Sequence, residues 1–303
     1  MTQMIFERNG WLIVGKRYFD LRSDNAVEIA TGLGMFHEFW MDDLVCSVKN
    51  KDNITQLISF NEEGNVESIQ SMVHDNIQIM DYKKGHILST SMSNGGFTVH
   101  INGKEVICNE RYNDCYSGAC LAPSHDGSRM WAHVMTGHYY KVFDVLDKCK
   151  EIYSLNVSDD DSEVICVNMF DPSWSFYILT DVFIINFIDP NTKEATQWTL
   201  TDYESESKWY FVAEDLFLLG NCVYKLSMNG PELISKIYFG ISYRTPVLLG
   251  GDGCFCIFPG DVQDDADEIE YEVFKENSGE IANEKRTLKF DDFEYLQLKP
   301  VTL

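Results

Sequence analysis

The sequence predicts an all-β protein built as a seven-bladed β-propeller of four-stranded antiparallel blades. Three observations predict it. Apolar runs of about four to seven residues fill the chain, separated by Gly, Asn, Asp and Pro clusters. No segment sustains a helical apolar period. One strand–turn–strand unit recurs, with turn centres near Asn25, Gly64, Gly103, Cys149, Thr192, Gly230 and Gly279. That is a period of roughly 40–50 residues, the length of a propeller blade.

The seven hairpins are read in order. The first joins Tyr18–Leu21 to Val27–Ile29, and the second joins Leu57–Phe60 to Val66–Ile69. The third joins Phe97–Ile101 to Glu105–Ile107 across Asn102-Gly103, and the fourth joins Tyr140–Val145 to Ile152–Leu155. The fifth joins Phe183–Ile188 to Ala195–Leu200, and the sixth joins Val223–Leu226 to Glu232–Ile237 across Asn229-Gly230. The seventh joins Ile269–Lys275 to Glu280-Ile281 across Asn277–Gly279. Each turn carries residues that tolerate tight or left-handed backbone. Two further strands precede each hairpin. In the fourth unit these are Ala119–Ala122 and Arg129–Met135; in the fifth, Glu163–Phe170 and Ser175–Thr180.

In the fourth unit, Pro123-Ser124-His125-Asp126-Gly127-Ser128-Arg129-Met130-Trp131-Ala132 leads to Tyr140-Lys141-Val142-Phe143-Asp144. A small-residue strand, a Pro/Asp-Gly turn and an aromatic-Asp strand end follow one another there. In architecture this resembles a WD40-type blade. The Gly-His and Trp-Asp dipeptides of that family are missing from the other units. The resemblance implies a divergent WD40-like propeller with no close family.

One domain over residues 1–303 is expected. Phe293–Leu298 is a spare strand after the last hairpin, expected to pair beside Met4–Glu7 or Trp11–Val14 and so remove a sheet edge. The competing fold, two β-sandwich domains, predicts a central linker, and none is visible.

Composition narrows the function. Asp and Glu number 48 against 24 Lys and Arg, for a formal net charge of -24. Phosphate backbones and anionic membranes demand a basic footprint, so nucleic acid and membrane are not expected partners. A basic protein or peptide is. No secretory leader is read in Met1–Gly10, and the nine cysteines are odd in number and irregular in spacing. Both point to a reducing compartment, cytoplasmic or nuclear. Cys254-x-Cys256 is expected to divide between the two faces of its strand and so to make no metal pair. No metal or other cofactor is expected.

Candidate chemistry lies in the loops. In a four-stranded blade, the link from outer strand to next blade opens on the same end as the loop between second and third strands. Asp159, Asp160 and Asp161, then Asp202, Glu204 and Glu206, fall in the first type; Asp264, Asp265, Asp267 and Glu268 fall in the second. All are expected on one acidic end that steers a basic partner. Trp174, after Asp171-Pro172-Ser173, is the expected exposed aromatic anchor. Calcium is a rival use of these carboxylates, but neither acidic run follows the twelve-residue loop with its Gly and terminal Glu.

No nucleophile elbow, phosphate loop or dinucleotide fingerprint occurs. Cys149, beside Lys148 and Lys150, is expected to have a lowered thiol pKa. His125, His133 and His138 are read as structural. The expected function is a non-catalytic scaffold or complex subunit. The alternative is a propeller hydrolase or lyase using a metal in the central channel.

Overall fold

The computed structural model describes residues 10–29, 35–72, 77–93, 96–109, 116–123, 128–136, 139–156, 175–179, 184–188, 195–199, 209–211, 216–227, 229–237, 247–250, 254–259 and 266–299. These form β-strands almost throughout. The first three are β1 (Trp11–Val14), β2 (Arg17–Asp20) and β3 (Asn25–Ile29). A second sheet follows: β4 (Met35–Trp40), β5 (Val45–Lys49), β6 (Thr55–Phe60) and β7 (Val66–Ser71). The third holds β8 (Ile77–Lys83), β9 (His86–Ser93), β10 (Gly96–Ile101) and β11 (Lys104–Asn109). The fourth holds β12 (Tyr116–Pro123), β13 (Met130–Thr136), β14 (Tyr139–Asp144) and β15 (Lys150–Asn156). The fifth holds β16 (Ser175–Leu179), β17 (Ile184–Ile188) and β18 (Ala195–Thr199).

The sixth sheet holds β19 (Trp209–Phe211), β20 (Leu216–Leu219), β21 (Cys222–Ser227) and β22 (Gly230–Lys236). The last holds β23 (Val247–Gly250), β24 (Cys254–Ile257), β25 (Glu268–Asn277) and β26 (Glu280–Lys289). A short 3-10 turn, Phe290–Asp292, then leads into β27 (Glu294–Leu298), which joins the first sheet in the order β1-β2-β3-β27.

The described residues therefore build six four-stranded blades, not the seven read from the repeat. The fifth hairpin is present, but its sheet has three strands among the described residues. The strand read at Glu163–Phe170 lies outside them, as does Met4–Glu7. The first hairpin, β2–β3, also occupies a different place from the others. It is the second and third strand of its blade, and the fourth strand comes from the C-terminal region, paired parallel to β3. Closure by Phe293–Leu298 was legible in sequence; its neighbour and direction were not.

The chain divides into two compact units. One is Met1–Met4, Thr31–Thr199 and Pro300–Leu303; the other is Ile5–Ala30 and Leu200–Lys299. In the first, Val45, Leu57, Ile77 and Ile79 pack the second sheet on the third. Leu88, Val99 and Ile101 meet Leu121, Ala132 and Val134 to pack the third on the fourth. In the other unit, Leu12, Phe19 and Ala26 meet Phe258, Val273 and Phe290. Burial falls away toward the outer strands. β20 is buried at all four positions, whereas every residue of β7 after Val66 is exposed. That gradient is what sheets stacked face to face require of inner and edge strands.

Local chemistry explains the turns. Asn102-Gly103 has φ of 51° and 77°, and Ser278-Gly279 has φ of 55° and 88°. Both are two-residue hairpins with left-handed backbone at each position, matching the twist of the strands they join. At the second hairpin the Asn61 side-chain oxygen accepts from the backbone N–H of Glu63 and Asn65, at 3.1 and 2.9 Å. In the fourth blade the aromatic-Asp pair is explained too. Asp144 Oδ1 accepts from the N–H of Leu146 and Asp147, both at 3.0 Å, and so shapes the turn that follows.

The interaction that binds three blades of the first unit is one carboxylate. Asp81, on β8, is 3% exposed. Its Oδ1 accepts the Tyr82 N–H at 2.8 Å, and its Oδ2 accepts the Leu121 N–H of β12 at 2.7 Å. The Trp40 side chain, on β4, donates to it as well. The second, third and fourth blades thus converge on one anion. Nearby, Asp43 accepts the Lys84 N–H, and the Thr55 hydroxyl donates to the Ile77 carbonyl at 2.6 Å. Burial raises the Asp81 pKa, outweighing the opposing pull of Lys83 and of the three donors.

Two outcomes follow for Asp81. Asp81→Ala leaves the Leu121 and Tyr82 N–H groups and the Trp40 donor without their acceptor. It should cost about 3 kcal/mol in urea unfolding, the scale of breaking a buried charged network. A change below about 0.5 kcal/mol would refute the three-blade tie. For pH, the folded pKa lies above the unfolded value of 3.8. The proton is therefore held more tightly in the folded state, and stability is lost as pH rises from the unfolded toward the folded pKa. The stability of wild type minus that of Asp81→Asn should fall across that window and level off above it.

Candidate functional site

Three loops of the second unit that carry exposed carboxylates are joined by backbone hydrogen bonds. β26 runs out into the Phe290–Asp292 turn, a link from an outer strand to the next sheet. The loop before β25 joins the second strand of the last sheet to the third. The Phe290 N–H donates to the Asp267 carbonyl at 3.1 Å, so these two loops open on one end of the last sheet. A step further on, the Glu294 N–H donates to the Asp24 carbonyl at 3.1 Å, adding the β2–β3 turn. The backbone thereby gathers Asp24, Asp267, Glu268, Asp291, Asp292 and Glu294, all exposed.

Local cations are already engaged. The Arg22 guanidinium pairs with Asp20 at 2.8 Å and lies 6.0 Å from the Trp11 ring centroid. Burial pushes the Asp20 pKa up, but the Arg22 hydrogen bonds and charge, with Ser23, overcome it and leave the carboxyl below its usual range. Arg17 lies over Phe290 and Phe19, at 4.9 and 5.6 Å from their centroids. Lys289 stands opposite Glu268 in the β25–β26 ladder. None of the six exposed carboxylates forms an ion pair among the described residues.

Of the residues expected to form the acidic end, Asp267 and Glu268 are described, and both are exposed. Asp159, Asp160, Asp161, Asp202, Glu204, Glu206, Asp264, Asp265 and Trp174 lie outside the described residues. Asp24, Asp291, Asp292 and Glu294 escaped the sequence reading. Asp291-Asp292 carried a usable signal: an acidic pair between the last hairpin and the closing strand, in the same kind of link as Asp159–Asp161.

Two other expectations are corrected. Cys149 is half-buried, and its thiol pKa is raised, not lowered. Burial is the main cause; Asp144 adds to it and Lys104 only partly opposes it. Lys148 and Lys150 exert no such pull, so adjacency in sequence misjudged the field. Cys254 and Cys256 meet one core cluster instead of dividing between two faces, because residues two apart on a strand share a side. Burial raises the Cys256 thiol well above its usual range. No group of three or more His, Cys, Asp or Glu with metal-holding geometry occurs among the described residues.

His133, on β13, is fully buried, and burial followed by the Lys83 charge lowers its pKa to about 3. It is neutral at physiological pH, as a core imidazole is. No helix among the described residues is long and apolar enough to cross a membrane.

In sequence, no protein-family model and no curated protein matches this chain. In structure it is similar to the Dos1 propeller, with TM-score 0.52 and 11% identity, over 86% of this chain and 74% of that one. It is similar also to a hypothetical selenium-binding protein from Sulfolobus tokodaii, with TM-score 0.50 and 9% identity, over 94% and 88%. The Cps50 (Swd1) propeller domain of Myceliophteria thermophila aligns with TM-score 0.49 and 12% identity, over 86% and 87%. At such identities the likeness is one of fold alone, and that fold, with its four-stranded antiparallel blades, is the β-propeller.

Proposed function

We propose that this protein is a non-catalytic interaction scaffold or complex subunit, a propeller whose acidic loop end binds a basic protein or peptide inside the cell. The observation that carries the reading is the gathering of Asp24, Asp267, Glu268, Asp291, Asp292 and Glu294 at one end of three sheet connections. A formal net charge of -24 adds a long-range field of the same sign. Asp202, Glu204, Glu206, Asp264 and Asp265 are proposed as further members of the binding set from their sequence positions. Asp159, Asp160 and Asp161 are proposed as part of the binding set from their sequence position alone. Trp174 is the proposed aromatic anchor.

Binding of this kind is steered by exposed charge, so it weakens as salt screens it. The affinity for an arginine- and lysine-rich peptide should fall about tenfold or more between roughly 50 and 500 mM salt. Reversing Asp291 and Asp292 to lysine should weaken it further at low salt, and reversing Glu67, on the exposed strand β7, should not. Affinity that ignores salt, or that responds equally to Glu67→Lys, would sink the proposal. Fluorescence anisotropy with a labelled peptide reads both.

A further inference from the structure

We propose that β27 is a charge-gated latch. Its last three residues, Leu296–Leu298, release from β3 together while the rest of the sheet stays folded, and repulsion among Asp24, Asp291, Asp292 and Glu294 at the strand entry sets how often they do so. The proposal needs no partner and stands apart from the scaffold reading.

Connectivity is the first argument. β7, β11, β15, β18, β22 and β26 each pair with the strand immediately before them, so only a short stretch of sequence separates the partners. β27 pairs with β3 from the far end of the sequence, and the pairing is parallel. No hairpin turn holds the two strands in register. The second argument is burial. Glu294, Tyr295 and Gln297 are exposed and Leu296 is partly so; only Leu298, at 0% exposure, is buried. Opening the strand therefore uncovers little apolar surface.

The anchor lies at the entry to the strand and reaches its second residue, Tyr295. Phe290 stacks on Phe19 at 4.5 Å, and Phe293 meets Phe19 edge-on at 5.1 Å. Arg17 caps Phe290. Tyr295 meets Phe19 edge-on at 6.1 Å and its hydroxyl donates to the Phe290 carbonyl at 3.4 Å, so these contacts hold the entry to β27 while leaving Leu296–Leu298 to close or open. The entry is also where like charge collects, since Glu294 is hydrogen-bonded to Asp24 through the backbone. Glu28 adds a further carboxylate opposite Gln297. Arg22 pairs with Asp20, and Arg17 lies over Phe290 and Phe19.

Native-state hydrogen exchange on the intact protein tests this. Amides of Leu296–Leu298 should exchange roughly 100-fold faster than those of Leu12–Val14 and Phe255–Ile257, the mark of local opening. Raising salt from about 20 to about 500 mM should slow them severalfold, because screening removes the repulsion. The double variant Asp291→Lys, Asp292→Lys should slow them at low salt and erase the salt effect. Exchange of β27 at the core rate, or insensitivity of β27 to salt, would overturn the latch. If the double variant does not fold, the salt series on the unaltered protein decides.

Discussion

One buried carboxylate organises the first unit. Asp81 sits on an inner strand and takes hydrogen bonds from its own strand and from the blades on either side. Removing a carboxylate from water is costly, and the three donors offset only part of that cost, since burial still raises the Asp81 pKa. The arrangement is therefore all or nothing. Three inner strands must arrive in one register, or the anion is stranded. Apolar packing between blades is permissive about small shifts; a charge with three donors is not.

The other unit solves a different problem. A row of blades has an unfinished edge, and here the first sheet is completed by a strand from the far end of the chain. An aromatic cluster around Phe19 locates that strand, and the backbone at its entry knits three acidic loops together. The same junction thus carries both a structural and an electrostatic load. Charges there stay solvated at little cost while shaping what approaches the protein.

Sequence legibility followed the physics of each element. All seven hairpins were readable because turn chemistry is local: Asn102-Gly103 and Ser278-Gly279 need only their own backbone preferences to declare a tight turn. The count of complete blades was less readable, since assigning a strand its place in a sheet depends on neighbours distant in sequence. The β2–β3 hairpin looked like the other six and proved to be an inner pair. Cys149 shows the same limit at a side chain. Its sequence neighbours are lysines, but burial and Asp144 in space govern its proton.

The sequence by itself determined the strand content, the turns, the repeat length, the excess of negative charge and the loops that carry most of it. These are properties of short segments and of sums. Tertiary structure alone decided that Asp81, the acid that follows Ile77-Gln78-Ile79-Met80, is the acceptor for two neighbouring blades. It alone decided that Asp24, Asp267 and Asp291 share one end, and that β27 lies parallel to β3. Each of those depends on backbone groups far apart in the chain meeting in space, and no local pattern encodes which distant N–H will face a given oxygen.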